Sequence, residues 1–399
     1  MTRLRALIVC PGRGSYGRAQ LGSLRGSIDA GPQRREVPVN DPIIAALDRF
    51  RARLGRPTIS ALDRAPEYAP HLHVAGEHAS LLTFACTAVD LAAIDRDKVD
   101  IVGVTGNSMG FYTALYAAGA LDLDAAARLV ETLGHYQAGN VIGGQLLYPL
   151  VGDDWRPAST LPATPSVLRL PALDDTHAAA LAVVQSAALS AAPVAALAAA
   201  HSAALDTAHS AALDAALAHP GVHVSIRLGG TIVLGADADG LAHARRVLPP
   251  IERGGLRYPA QLPLHSAFHT PLMAATAARA RTDLADLPIR SPAITLIGGD
   301  GVVHRPWASP AALWAYTLGA QIVEPFDFAR AIATALGELG PDVIVLPGPG
   351  DSLGGALAQI LIAQRWRGLR DRADFVAMQA SDRPIVLAMQ RPAQRACVV

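Results

Sequence analysis

Lysine is nearly missing from this chain. Lys98 stands alone among 34 basic residues and the rest are arginine. With alanine so abundant, that points to a coding bias toward GC, so single arginines and alanines are background until a motif singles them out. Charge of either sign is also sparse, at 17% of residues, and 34 acidic groups cancel the 34 basic ones. No net field then draws the chain to nucleic acid or to an anionic membrane surface. Cysteine is rare: Cys10, Cys86 and Cys397 lie far apart, form no Cys-x-x-Cys pair or zinc-ligand spacing, and fit a reducing compartment. There is no run of about eighteen apolar residues to span a bilayer. The apolar stretch 6–10 before Pro11 is too short for a signal-peptide core. These absences predict a soluble, cytoplasmic protein with no nucleic-acid or membrane partner. What is plentiful is apolar surface, 51% of 399 residues, enough for one large domain with an insertion.

Residues 6–10 read as a buried first strand, stopped by the turn Pro11-Gly12-Arg13-Gly14-Ser15. Residues 15–40 are polar and arginine-rich and predict a loop. Helical patterns cover 42–54 and 76–93, a strand 101–104, and a further helix starts at Asp122. Alternation of this kind predicts an α/β domain with a largely parallel sheet. The texture changes between about 138 and 258: residues 156–172 are proline-rich and 177–219 alanine-rich, with strands expected at 222–228 and 231–234 and a helix at 238–247. Alanine's helix propensity makes 177–219 a helical segment. Its His201 and His209 lack the spacing and partners of a metal site. The expected division is a discontinuous core, 1–137 and 259–365, a small α+β subdomain at 138–258, and a peripheral tail at 366–399. In the second half of the core, strands are expected at 293–297 and 343–346, and helices at 309–318 and 328–339.

The chemistry concentrates at Gly106-Asn107-Ser108-Met109-Gly110, a Gly-x-Ser-x-Gly between an apolar run and a helical segment at 111–120. A serine on such a strand-to-helix turn is pushed toward solvent, and the flanking glycines tolerate the strained backbone and the close approach of the helix. A serine hydroxyl needs a base within hydrogen-bond reach. The informative histidines are His265 and His269, in Leu264-His265-Ser266-Ala267-Phe268-His269-Thr270-Pro271-Leu272-Met273.

Taken in order, these motifs resemble the malonyl-CoA:acyl-carrier-protein transacylases and the acyltransferase domains of fatty-acid and polyketide synthases. Pro11-Gly12-Arg13-Gly14-Ser15 is similar to that family's Pro-Gly-Gln-Gly-Ser turn, and the pentapeptide at 106–110 to its Gly-His-Ser-x-Gly elbow. Phe268-His269-Thr270 resembles its histidine segment. Gly319 to Phe328 and Pro347-Gly348-Pro349-Gly350 resemble its later Gln-x-x-x-Pro-Val and Gly-Pro-Gly segments. The resemblance spans about residues 5–362 and implies an α/β-hydrolase-like core with a ferredoxin-like subdomain. It further implies Ser108 as nucleophile, His269 as base, and the backbone amides of Arg13 and Met109 as oxyanion hole. Gly12, Gly14, Asn107, Leu133 and Gly298 would line or shape the substrate site. The substrates implied are coenzyme A thioesters and the phosphopantetheine arm of an acyl-carrier protein, with no permanent cofactor or metal.

Three departures bear on the acyl group. Leu133 stands where malonyl-selective members carry an arginine, Arg13 where they carry glutamine, and Asn107 where they carry the elbow histidine. Leucine cannot pair with a carboxylate, so Leu133 predicts an uncharged acyl group unless Arg13 or Arg128 supplies the cation. Gly298-Gly299 occupies the place of a loop whose carbonyl orients the histidine, a task glycine could keep. The competing readings are a hydrolase that clears acyl groups from carrier proteins, and a non-catalytic homologue that binds them.

Overall fold

Residues 6–10 carry no charge because they run through the middle of a sheet. In the computed structural model, which describes residues 3–24, 41–152, 155, 210–253 and 255–399, strand β1 (Leu4–Cys10) has Ala6, Leu7, Ile8, Val9 and Cys10 fully buried. It pairs in parallel with β2 (Val99–Gly106) on one side and β12 (Val343–Leu346) on the other. A parallel strand covered on both faces has no solvent side on which to alternate, hence the unbroken apolar run. With β9 (Leu296–Ile297), β10 (Val303–His304) and β13 (Val386–Ala388) the sheet runs β10-β9-β2-β1-β12-β13. Only β10 is antiparallel to its neighbour.

Helix Gly76–Ala93 lies in the interior, with residues 79–90 all buried, and packs against Leu123–His135. Asp122 caps the latter, its carboxylate accepting from the Ala125 amide at 2.9 Å, as its place before the apolar periodicity predicts. Helix Phe328–Leu339 ends at Gly340, which takes the left-handed conformation.

The second sheet has the order β11-β4-β5-β3-β8, from β3 (Gly144–Pro149), β4 (Val222–Arg227), β5 (Thr231–Ala236), β8 (Ala260–Gln261) and β11 (Phe326–Asp327). A hairpin, β6 (Ile251–Arg253) and β7 (Leu256–Tyr258), lies beside it in sequence. Residues 210–217 are helical between β3 and β4, and helix Ala238–Val247 follows β5. This element order, with β3 between β5 and β8, is the split βαββαβ arrangement. Alternation sets the two faces. Leu146, Tyr148, Ile232 and Leu234 enter the subdomain's own core, while Leu147, Ile226 and Val233 face the main body.

Two boundaries differ from the expected division. The small sheet recruits β8 and β11 from beyond residue 258, two-residue strands too short to carry a period. The peripheral tail expected at 366–399 is instead built into the core. Strand β13 extends the main sheet, Val386, Leu387, Ala388 and Val398 are buried, and Arg395 reaches the fully buried Asp90 at 2.6 Å. The strand expected at 293–297 is shortened to two residues because the amides of Ala293 and Ile294 bond to the Ala118 carbonyl at the end of helix Gly110–Ala117. Short 3-10 turns at Arg13–Ser15 and Arg18–Gln20 open the expected loop. Residues 25–40, the proline-rich 156–172, most of the alanine-rich stretch, and His201 and His209 lie outside the described residues. Among those described, no helix is long and apolar enough to cross a membrane.

Candidate active site

Strand β2 ends at Gly106, and the chain turns sharply at Ser108 before entering helix Gly110–Ala117. Ser108 has φ of 55°, a left-handed conformation that costs a serine energy and persists only where the surroundings enforce it. The glycines of the pentapeptide show what enforces it. A Cβ on Gly106 would run into the Gly110 carbonyl, and one on Gly110 into the carbonyl of Cys10 at the end of β1.

His269 meets the serine from the other side, its Nε2 2.7 Å from Ser108 Oγ. It too has positive φ, 63°, with its amide donating to the Ile322 carbonyl at 2.7 Å. Its Nδ1 lies 2.6 Å from the carbonyl oxygen of Gln321. A carbonyl can only accept, so the ring proton sits on Nδ1 and the Nε2 lone pair is left for the serine hydroxyl. Burial pushes His269 down to about 4, a shift the Gln321 bond partly opposes. The imidazole is therefore neutral near pH 7 and able to accept a proton.

The orienting carbonyl belongs to Gln321, and not to the loop at Gly298 as the motif order suggests. Gly298 sits in the turn between β9 and β10, donates to the Val302 carbonyl at 3.0 Å, and does not line the cavity. Gln321 also ties the elbow down with its side chain: Nε2 donates to the Ser108 carbonyl at 3.1 Å and Oε1 accepts from Tyr112 Oη. One residue thus holds His269 by its backbone and the Ser108 turn by its amide. Gln321 lies in a motif quoted above, yet nothing in the sequence assigns it this role, because a carbonyl has no residue identity. Tyr112, on the helix after the elbow, carried no sequence signal.

Arg13 begins a 3-10 turn and Met109 is the N-cap of the following helix, positions where helix geometry leaves an N–H without an intrahelical partner. Both flank a cavity of about 480 Å³ that also takes in Gly12, Gly14, Asn107, Ser108, Leu133, His265 and His269. Eight of the nine expected site residues are therefore brought together, Gly298 being the exception. Leu133 is 3% exposed, and the small subdomain contributes Leu147, Ile226, Leu228 and Val233. His265 lines the cavity without reaching the serine. Its Nδ1 lies 2.8 Å from the Pro263 carbonyl, and burial, with the Arg13 charge second, pushes it down to about 3. Asn107 is 9% exposed and its Oδ1 is buried without a hydrogen-bond partner. Arg128 is no part of the site, being engaged by Asp286 at 2.6 and 3.0 Å away from the cavity.

The architecture is that of the malonyl-CoA:acyl-carrier-protein transacylases. The chain superposes on a transacylase of this kind from Coxiella burnetii with a TM-score of 0.64 at 16% identity, covering 100% of this chain and 98% of that one. The corresponding figures for the Xanthomonas oryzae pv. oryzae enzyme are 0.63, 20%, 99% and 98%. For a malonyl-transacylase in complex with a type II polyketide-synthase acyl-carrier protein they are 0.63, 14%, 99% and 99%. At such identities the likeness defines the fold. No protein-family model matches the sequence, and no curated protein matches it.

Proposed function

We propose that this protein is an acyltransferase that moves an acyl group from coenzyme A to the phosphopantetheine arm of an acyl-carrier protein, in fatty-acid or polyketide assembly. The observation that carries the reading is the 2.7 Å contact between Ser108 Oγ and the neutral, carbonyl-oriented His269 in the wall of a largely apolar cavity. His269 Nε2 takes the hydroxyl proton as Ser108 Oγ bonds to the thioester carbon, and the carbonyl electrons move onto oxygen. The amides of Met109 and Arg13 receive that oxyanion. As it collapses, the C–S bond breaks and the coenzyme A thiolate leaves with the proton from His269. A carrier thiol then gives its proton to His269, attacks the acyl-serine, and releases Ser108 as the alkoxide, which the imidazolium reprotonates.

The dyad, the coenzyme A substrate and a cytoplasmic setting are parts of this reading, as is the carrier partner, for which the complex of a like-folded transacylase with its carrier protein is the support. Leu133 alone favours an uncharged acyl end, while Arg13 brings a cation to the same wall.

Intact-protein mass spectrometry after incubation with a series of acyl-CoA thioesters is the test. An acyl adduct that disappears in Ser108→Ala and is discharged onto added phosphopantetheinylated carrier protein supports the transferase. Discharge at the same rate without carrier makes the protein a hydrolase. A folded protein that never labels makes it a binding homologue.

A further inference from the structure

Among the described residues, the cavity that holds Ser108 is lined by no aspartate, glutamate or lysine, and its two histidines are both pushed toward the neutral form. Arg13 is the one permanently charged side chain among the described residues that line it. Arg13 is 8% exposed, and its guanidinium bonds go to neutral acceptors, Nη1 to Gln137 Oε1 at 2.9 Å and Nη2 to the Leu264 carbonyl at 2.7 Å. No carboxylate among the described residues pairs with it. Burial brings Arg13 down to about 10, which leaves it charged at neutral pH. A buried charge without a counter-ion is costly in an apo fold and is compensated when an anion arrives.

The position is as telling as the charge. Gln137 lies four residues beyond Leu133, just past the end of the helix that carries it, so the guanidinium lies along the wall that Leu133 and Gly134 form. It also lies over Gly76, the first residue of an 18-residue helix. A Cβ there would sit 2.5 Å from Nη1. The positive end of that helix repels the guanidinium and would favour an anion beside it.

We propose that Arg13 is the specificity-determining residue of this cavity, its guanidinium taking the free carboxylate of a carboxyacyl group whose other end is esterified to Ser108. The inference rests on the acyl-enzyme reading above. The carboxylate stays ionised and takes no part in bond making; it anchors the acyl group across the cavity from the nucleophile. The cation is thus supplied from the glycine-rich turn in place of the helix position that Leu133 fills, which reverses the neutral preference that Leu133 by itself suggests.

Malonyl-CoA and isovaleryl-CoA form a matched pair, since two methyl groups replace the two carboxylate oxygens. The rates at which each acylates Ser108 are compared in the same preparation, so a lost folded fraction cancels from the ratio. The wild-type ratio is expected to favour malonyl by roughly 10- to 100-fold, the range of charge-assisted hydrogen bonds. Arg13→Gln lowers that ratio by a similar factor, Arg13→Lys by less, and Arg13→Gln with Leu133→Arg raises it again by returning a cation to the wall. A wild-type ratio at or below one, or a ratio that Arg13→Gln leaves where it was, overturns the assignment while the acyl-enzyme reading stands. Absence of label at Ser108 from both thioesters, and from other acyl-CoAs, overturns both.

Discussion

The wall that carries Ser108 and the wall that carries Arg13 face one cavity but are held in different ways. At Ser108 and His269 most of the work is done by backbone: both residues sit at positive φ, the ring is oriented by a carbonyl and the turn is enforced by glycines, with the Gln321 amide as the one side chain that braces it. The Arg13 wall is held by side chains, a guanidinium reaching across 124 residues of sequence to Gln137 and 251 to the Leu264 carbonyl. Under the proposed function the first arrangement meets only the thioester carbon and its neighbours, and so sets reactivity whatever the acyl group. Under the same proposal the second meets only the far end of the acyl group. Changes in the first should therefore scale every substrate alike, and changes in the second should alter their ratio.

The sharpest break of that comparison is removal of the dyad. Ser108→Ala and His269→Ala are each expected to lower acylation of the protein by about 10³-fold or more for every thioester, read by stopped incubation and intact mass. A His269→Ala protein acylated as fast as wild type would move the base elsewhere, and His265 would then be the group to test. Next in size is Gln321→Ala. The backbone carbonyl remains for His269, but the Ser108 carbonyl and Tyr112 Oη lose their partner. A loss of about 10- to 100-fold, uniform across acyl groups, follows from loosening the nucleophile's placement. A change in the malonyl-to-isovaleryl ratio in that variant would mean that the two walls are coupled.

What was legible in the sequence follows the same division. Gly106, Ser108 and Gly110 announce the elbow because the turn's sterics demand those residues at that spacing, and helix Phe328–Leu339 is legible from its apolar period and the glycine that ends it. The carbonyl of Gln321 is invisible because any residue offers one, and so the orienting role was attached to Gly298. Strand β13 is three residues long beside arginine-rich segments and takes its place through pairing with β12, a long-range fact that local pattern does not encode. Arg13 was legible as an oddity. The role proposed for it rests on the neutral partners that the fold gathers around it.

Acid should act on the first wall and on stability together. The buried His269 is pushed down to about 4 and His265 to about 3, against about 6.5 for a free histidine. Between those values the unfolded chain binds more protons than the folded one, so stability falls as pH drops from about 6.5 toward 4. Their full contribution is present above 6.5. Acylation should stay flat down to about pH 5 and fall below it as His269 takes up its proton. Thermal unfolding and single-turnover acylation across this range check both, and a stability curve that rises toward pH 5 would contradict the depressed histidines.

The smallest effect is expected where the two walls meet. Asn107 precedes the nucleophile and lines the cavity, yet its Oδ1 is buried and unpaired. Leaving such an acceptor unsatisfied costs about 1–3 kcal/mol, while truncating the side chain to alanine gives up packing of similar size. The two terms oppose each other, so Asn107→Ala should shift stability by no more than about 1 kcal/mol, measured by denaturant unfolding. Its kinetic signature then decides which wall it serves. A uniform drop for malonyl and isovaleryl places the amide with the backbone of the elbow. A drop for malonyl alone joins it to the Arg13 wall.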